Sequence, residues 1–132
     1  MKKLFVSLPM KGRTEEAIKA SIIKMKKIAE AYEGEELALI DSYIDDKPPA
    51  NYNQSVWYLS KSLEKLSEAD IFIGISDTKG WAGCQIEADV ARLYNIKRYR
   101  VDNSIVVDYE AMVQRVINNI MDSYNTSNER IV

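Results

Sequence analysis

Glu87 is the residue from which the chemistry of this chain can be read. It follows a β-rich apolar run, Ile71-Phe-Ile-Gly-Ile75, and a polar turn from Ser76 to Gly83, after which the spacing predicts a helix from about Cys84. In an open parallel sheet, such a loop at the carboxyl end of a strand faces the ligand crevice. The helix start behind it offers free N–H groups and a positive dipole end. Glu87 is expected in the first turn of that helix, where the dipole favours an ionised carboxylate and the side chain projects toward the crevice. Spacing alone fits two roles equally: a carboxylate offered to a ligand, and an acid that merely stabilises its own helix.

The second group of candidates lies in the first loop, Ser7-Leu-Pro-Met-Lys-Gly-Arg13. Ser7 is a donor at a strand end and Arg13 a cation near a helix start; the two could hold a phosphate or a sugar hydroxyl, although a serine that ends a strand is more often a plain turn residue. Pro9 and Met10 shape the same rim. The loop has one glycine, so neither the dinucleotide fingerprint nor the phosphate-loop pattern is available. Further along, Asp41, Tyr43 and Asp77 are the loop groups able to hold or protonate a leaving group. Trp81 and Gly83 flank the start of the helix that carries Glu87, and the Trp81 ring could stack on a base. Trp57, with Tyr58 beside it, falls off the apolar stripe of its helix; such aromatics can stack on a base, form a subunit contact or extend the core. Cys84 at a helix start would be activated by the dipole, but no histidine is present to act as its base.

Composition narrows the classes. The 132 residues make one domain, 1–132, with a core that needs neither disulfide nor metal, and the tail from about 125 to 132 is expected to fray. The absence of histidine rules out a Ser/His/Asp triad and argues against a zinc site, so neither a metal nor a cofactor is expected. A lone cysteine points to a reducing compartment. The formal charge of −2 gives no argument for nucleic acid. No stretch approaches the roughly 20 apolar residues of a membrane span, and nothing at the start resembles a signal peptide. A cytoplasmic protein is expected.

These residues must be positioned by alternating elements. Lys3–Ser7 reads as a buried strand. Thr14 caps a helix over Glu15–Glu33 with Ile18, Ile22, Met25, Ala29 and Tyr32 on its apolar face, stopped by Gly34. A second strand is expected over Leu37–Asp41, then an irregular stretch from Ser42 to about Tyr52 that is either a lid or a solvated excursion. Asn53 caps a helix with Val56, Leu59, Leu63 and Leu66 on one side. In the helix after Ile71–Ile75, the spacing assigns Ile86, Val90 and Leu93 to the core face with Ala91 beside it, and turns Glu87 and Asp89 elsewhere. Lys97–Val101 and Ile105–Val107 read as strands. A last helix from about Tyr109 carries Val113, Val116, Ile117 and Ile120. This order predicts a small doubly wound, flavodoxin- or Rossmann-like three-layer α/β domain with a parallel sheet of four to five strands.

The segments KLFVSLPMKGRTEEAI, IDSY, VWYLSKSLEKLSEADIFIG and GCQIEADVARLYNI, in this order, also resemble a phage-associated family of uncharacterised proteins in the nucleoside 2-deoxyribosyltransferase-like superfamily. The resemblance covers about residues 2 to 101. In the enzymes of that superfamily a glutamate in a G-T-x-x-E pattern attacks the anomeric carbon of a deoxynucleoside. Gly83-Cys84-Gln85-Ile86-Glu87 matches that pattern with cysteine for threonine, so the resemblance implies that Glu87 is the nucleophile. The aspartate usually found shortly before the motif has no counterpart in Lys79-Gly80-Trp81-Ala82.

The resemblance implies a small-molecule nucleoside or nucleotide as partner, host cytosol as location if the chain is phage-encoded, and a homo-oligomer with sites near subunit interfaces. Its enzymatic form is a transferase or hydrolase at an N-glycosidic bond. Its alternative is a non-catalytic protein that sequesters a nucleotide-derived host signal, such as a cyclic one. A third form is a structural or subunit-interaction protein.

Overall fold

The computed structural model describes residues 1–106 and 117–123. In chain order the elements are β1 (Lys3–Ser7), α1 (Glu15–Glu33), β2 (Ala38–Leu39), α2 (Gln54–Leu66), β3 (Ile71–Ile75), α3 (Ala82–Leu93), β4 (Lys97–Val101) and the short α4 (Asn103–Val106). Among the described residues four strands form one parallel sheet in the order β2-β1-β3-β4. The chain passes from β1 to β2 on one side and then crosses back over β1 to β3 on the other, so the switch point lies between β1 and β3, where Ser7 is paired with Gly74. The fold is therefore the small Rossmann-like α/β arrangement that the alternation predicts.

Period-two alternation divides the sheet between two helical layers. Leu4, Val6, Leu8, Ile71, Ile73 and Ile75 face Met25 and Ala29 of α1, together with Val106 of α4. Phe5 and Phe72 face the other way, onto Leu66 of α2 and Ala91 of α3. Their rings stack with centroids 6.1 Å apart. Ser7 and Gly74 continue this second face at the carboxyl end of their strands. A Cβ on Gly74 would stand 2.8 Å from the Phe72 ring, so glycine lets that ring lie flat beneath the switch point.

Local chemistry sets the helix ends as expected. Thr14 accepts from the Ala17 N–H, Asn53 accepts from the Val56 N–H, and Gly34 stops α1 at φ 73°. At the foot of the sheet Glu33, with its side chain only 4% exposed, ties α1 to β4 through Lys97 Nζ at 2.6 Å and the Tyr99 hydroxyl at 2.7 Å. These partners hold its carboxyl down at about 2, Lys97 contributing most.

Several sequence expectations are corrected. The strand expected over Leu37–Asp41 forms a ladder only at Ala38–Leu39, because β2 is an edge strand registered against Lys3 and Leu4 alone. Tyr32 leaves the apolar face of α1. It is 67% exposed and stacks on Tyr99 at 5.2 Å instead of entering the core. Of the stripe on α2 only Leu66 is buried, and Val56 near the helix start lies beyond the sheet's cover.

The face of α3 is also rotated from the expected one. Cys84, Glu87 and Ala91 are buried, whereas Ile86 and Leu93 are exposed. Spacing of three and four fits both stripes, and the small Ala91 lets the helix approach Phe72 as Leu93 could not. Because α3 begins at Ala82, Glu87 sits in its second turn, where the dipole acts less. Residues 105 and 106 belong to α4 and not to a strand, since the chain turns at Asp102, whose carboxylate accepts from the Ser104 N–H. Val107 and the expected helix from Tyr109 through Val113 and Val116 lie outside the described residues, as does the tail 125–132. Residues 117–123 are helical, with Ile117 and Ile120 exposed.

Candidate functional site

Three elements converge on one carboxylate. Ser7 ends β1 on the sheet face toward α2 and α3, Glu87 descends from α3, and Ser62 reaches across from α2. The Ser7 hydroxyl donates to Glu87 Oε1 at 2.8 Å, and the Ser62 hydroxyl donates to Oε2. Each carboxylate oxygen carries two lone pairs, so one hydroxyl on each orients the group without exhausting its acceptors. Cys84 lies one turn before Glu87 on α3 and is buried beside it.

The electrostatics follow chiefly from burial. Glu87 is 9% exposed, and among the described residues no lysine or arginine pairs with it. Desolvation pushes its carboxyl above the usual carboxylate range, while the hydroxyls of Ser62 and Ser7 pull it back. The Cys84 thiol is pushed up to about 11, chiefly by burial and further by the Glu87 charge, against the favourable Ser7 contact. A thiol so placed is almost wholly protonated at neutral pH, which removes it as a nucleophile. Glu87 is the carboxylate of this cluster, oriented by two hydroxyls.

The other sequence candidates take separate places. Arg13 turns inward: its guanidinium donates to the Pro9 carbonyl at 3.0 Å, the Ser21 hydroxyl at 2.6 Å and the Ala17 carbonyl at 3.4 Å. In this arrangement it braces the first loop. Pro9 is buried, and Met10 stands 43% exposed on the rim. Asp41 and Asp77 each accept from an N–H two residues on, Tyr43 and Lys79 respectively, at 2.9 and 3.0 Å. Those are turn contacts. The Tyr43 side chain is 73% exposed. Trp81 precedes α3 and packs its half-buried ring against the core on the α1 side, whereas a Cβ on Gly83 would meet nothing. Trp57 is half-buried against the edge of Tyr58, with Lys61 Nζ 5.5 Å from its ring centroid.

Ser62 was not among the sequence candidates. Its signal is positional: it lies three residues after Leu59 and four before Leu66, on the stripe that faces α3 and the sheet. A small hydroxyl on a buried stripe needs a partner, and that partner is Glu87.

Away from this end, a shallow open depression of about 640 Å³ lies at the amino ends of the strands, lined by Met1, Lys2, Glu35, Glu36 and Asp70. None of the carboxylate cluster reaches it. Among the described residues no group of acids or cysteine is arranged to hold a metal, and no helix is long and apolar enough to cross a membrane. No protein-family model, curated protein or solved structure matches the chain.

Proposed function

We propose that the carboxyl ends of β1 and β3 bind a nucleoside or nucleotide, and that Glu87 is the nucleophile toward its anomeric carbon. The observation that carries this reading is the Glu87 carboxylate at the switch point, buried with no ion-pair partner among the described residues and oriented by Ser7 and Ser62 from two other elements. A buried acid kept without charge compensation weakens a core, so its retention argues for a task beyond packing.

In the first step a Glu87 oxygen bonds to the anomeric carbon as the glycosidic C–N bond breaks. The nucleobase leaves with the bonding electron pair and takes up a proton from solvent. In the second step water or another base attacks that carbon and gives up a proton to solvent, the carboxylate departs, and hydrolysis or transfer is complete. Ser7 and Ser62 hold the carboxylate toward the carbon, and their hydroxyls favour its ionised form. The resemblance of residues 2 to 101 to the deoxyribosyltransferase-like superfamily supports the same assignment, and it further suggests a homo-oligomer.

One observation favours a second reading, retention of a nucleotide-derived signal without cleavage. Asp41 and Asp77, the acids closest in sequence to the rim, turn an oxygen back onto their own loops, which leaves the departing base without an evident proton donor. Incubating the protein with deoxynucleosides, their monophosphates and cyclic nucleotides, followed by chromatography before and after denaturation, separates the readings. Free base supports the enzyme. Ligand depleted from solution and recovered intact supports retention, and neither outcome with any ligand overturns both.

A further inference from the structure

The two loops at the switch point are both tied, from behind, to the short segment that follows β4. Asn103 is 6% exposed and uses its amide as a strand would: Nδ2 donates to the Asp77 carbonyl at 2.7 Å, and Oδ1 accepts from the Asp77 N–H at 2.9 Å. The Ser76 hydroxyl approaches the same oxygen at 3.4 Å. The β3–β4 ladder itself ends with the Ser76 N–H on the Val101 carbonyl at 2.8 Å. A side chain thus continues the ladder by one residue and satisfies both backbone groups of Asp77, on the loop that leads to α3 and Glu87.

The other loop is reached from the end of the same segment. The Val106 carbonyl accepts from the Ser21 hydroxyl at 3.4 Å, and the Ile105 carbonyl accepts from Lys24 Nζ at 3.1 Å. Ser21 in turn accepts the Arg13 guanidinium, which holds the Pro9 carbonyl after β1. Hydrogen bonds joined by the backbone of α4 therefore connect Asp77 through Asn103 and Val106 to Ser21, Arg13 and Pro9.

We infer that Asn103 and Arg13 are positioning residues, and that residues 103–106 form a strap fixing the two loops on either side of the switch point. The strap is a statement about geometry. Its consequence for a ligand rests on the reading of the switch point as a nucleoside site. Because its hydrogen bonds to this loop join Asn103 to the backbone of Asp77 and the hydroxyl of Ser76, it acts on the placement of the loop and not on the chemistry of Glu87.

The test uses the full chain without ligand, by amide hydrogen exchange at single-residue resolution. In Asn103→Ala the Asp77 amide should exchange about tenfold or more faster, the loss of one buried hydrogen bond, while amides within β3 keep their protection. Asn103→Asp keeps the acceptor for the Asp77 N–H but sets an oxygen against its carbonyl, so it should fall between alanine and the native chain. Unchanged exchange at Asp77 in Asn103→Ala overturns the strap, as does a uniform rise throughout β3. With deoxynucleosides as probes, Asn103→Ala should raise KM or Kd several-fold and leave kcat within about twofold. A fall in kcat at constant KM overturns the positioning role. If the native chain neither binds nor cleaves these probes, the nucleoside reading falls, while the Asp77 exchange still decides the strap.

Discussion

The Ser7 hydroxyl at the end of β1 donates to the Glu87 carboxylate on α3 at 2.8 Å, across 80 residues of chain. Ser62 closes the other oxygen from α2. A carboxylate placed this way is held in orientation from two other elements and has no ion-pair partner among the described residues, and that combination sets what its variants should do.

Glu87→Gln should leave the protein at least as stable at pH 7 to 8, with a gain of up to about 1 kcal/mol, because the amide retains hydrogen bonding to the serines without a buried charge. The sign with pH follows from linkage. The folded carboxyl is raised above its ordinary 4.5, so the folded state holds the proton more tightly than the unfolded one. Glu87 therefore costs stability as pH rises from about 4.5 through its raised folded value, and the advantage of glutamine should grow over that window and shrink below it. Thermal melts of both proteins from pH 4 to 8 check this; an advantage independent of pH contradicts it.

Ser62→Ala removes the larger of the two hydrogen-bond contributions that favour the ionised Glu87. The carboxyl should titrate still higher, and the acid limb of any Glu87-dependent rate should move to higher pH, with Ser7→Ala moving it in the same direction by less. A pH–rate profile for each variant makes the comparison. An unmoved limb in Ser62→Ala would show that the hydroxyl does not act on this carboxylate.

Cys84, buried and raised to about 11, should resist thiol reagents at neutral pH in the folded protein and react at once in denaturant. Cys84→Ala should retain any base-releasing activity. Rapid labelling of the native thiol, or activity lost in the alanine variant, would return Cys84 to the list of nucleophiles.

The parts of this fold readable from the chain are those where one local rule suffices. The caps at Thr14 and Asn53, the αL stop at Gly34 and the apolar run Ile71–Ile75 each specify their element without tertiary help. The face of α3 needs more. Its sequence carries two helical stripes, Ile86-Val90-Leu93 and Cys84-Glu87-Ala91, and only the close approach to Phe72 and Ser7 selects the second. A carboxylate on the buried stripe looks like a solvent-facing acid until its two serines are known. Asn103 was equally hidden, because an amide that pairs with backbone leaves no pattern in spacing.

The most direct measurement compares native protein with Glu87→Gln for release of free base from deoxynucleosides, with matched melting curves to certify both folds. The account predicts base release by the native chain and a loss of about a hundredfold or more in the glutamine variant, since a neutral amide cannot form the glycosyl ester. Equal release by the two proteins would contradict it.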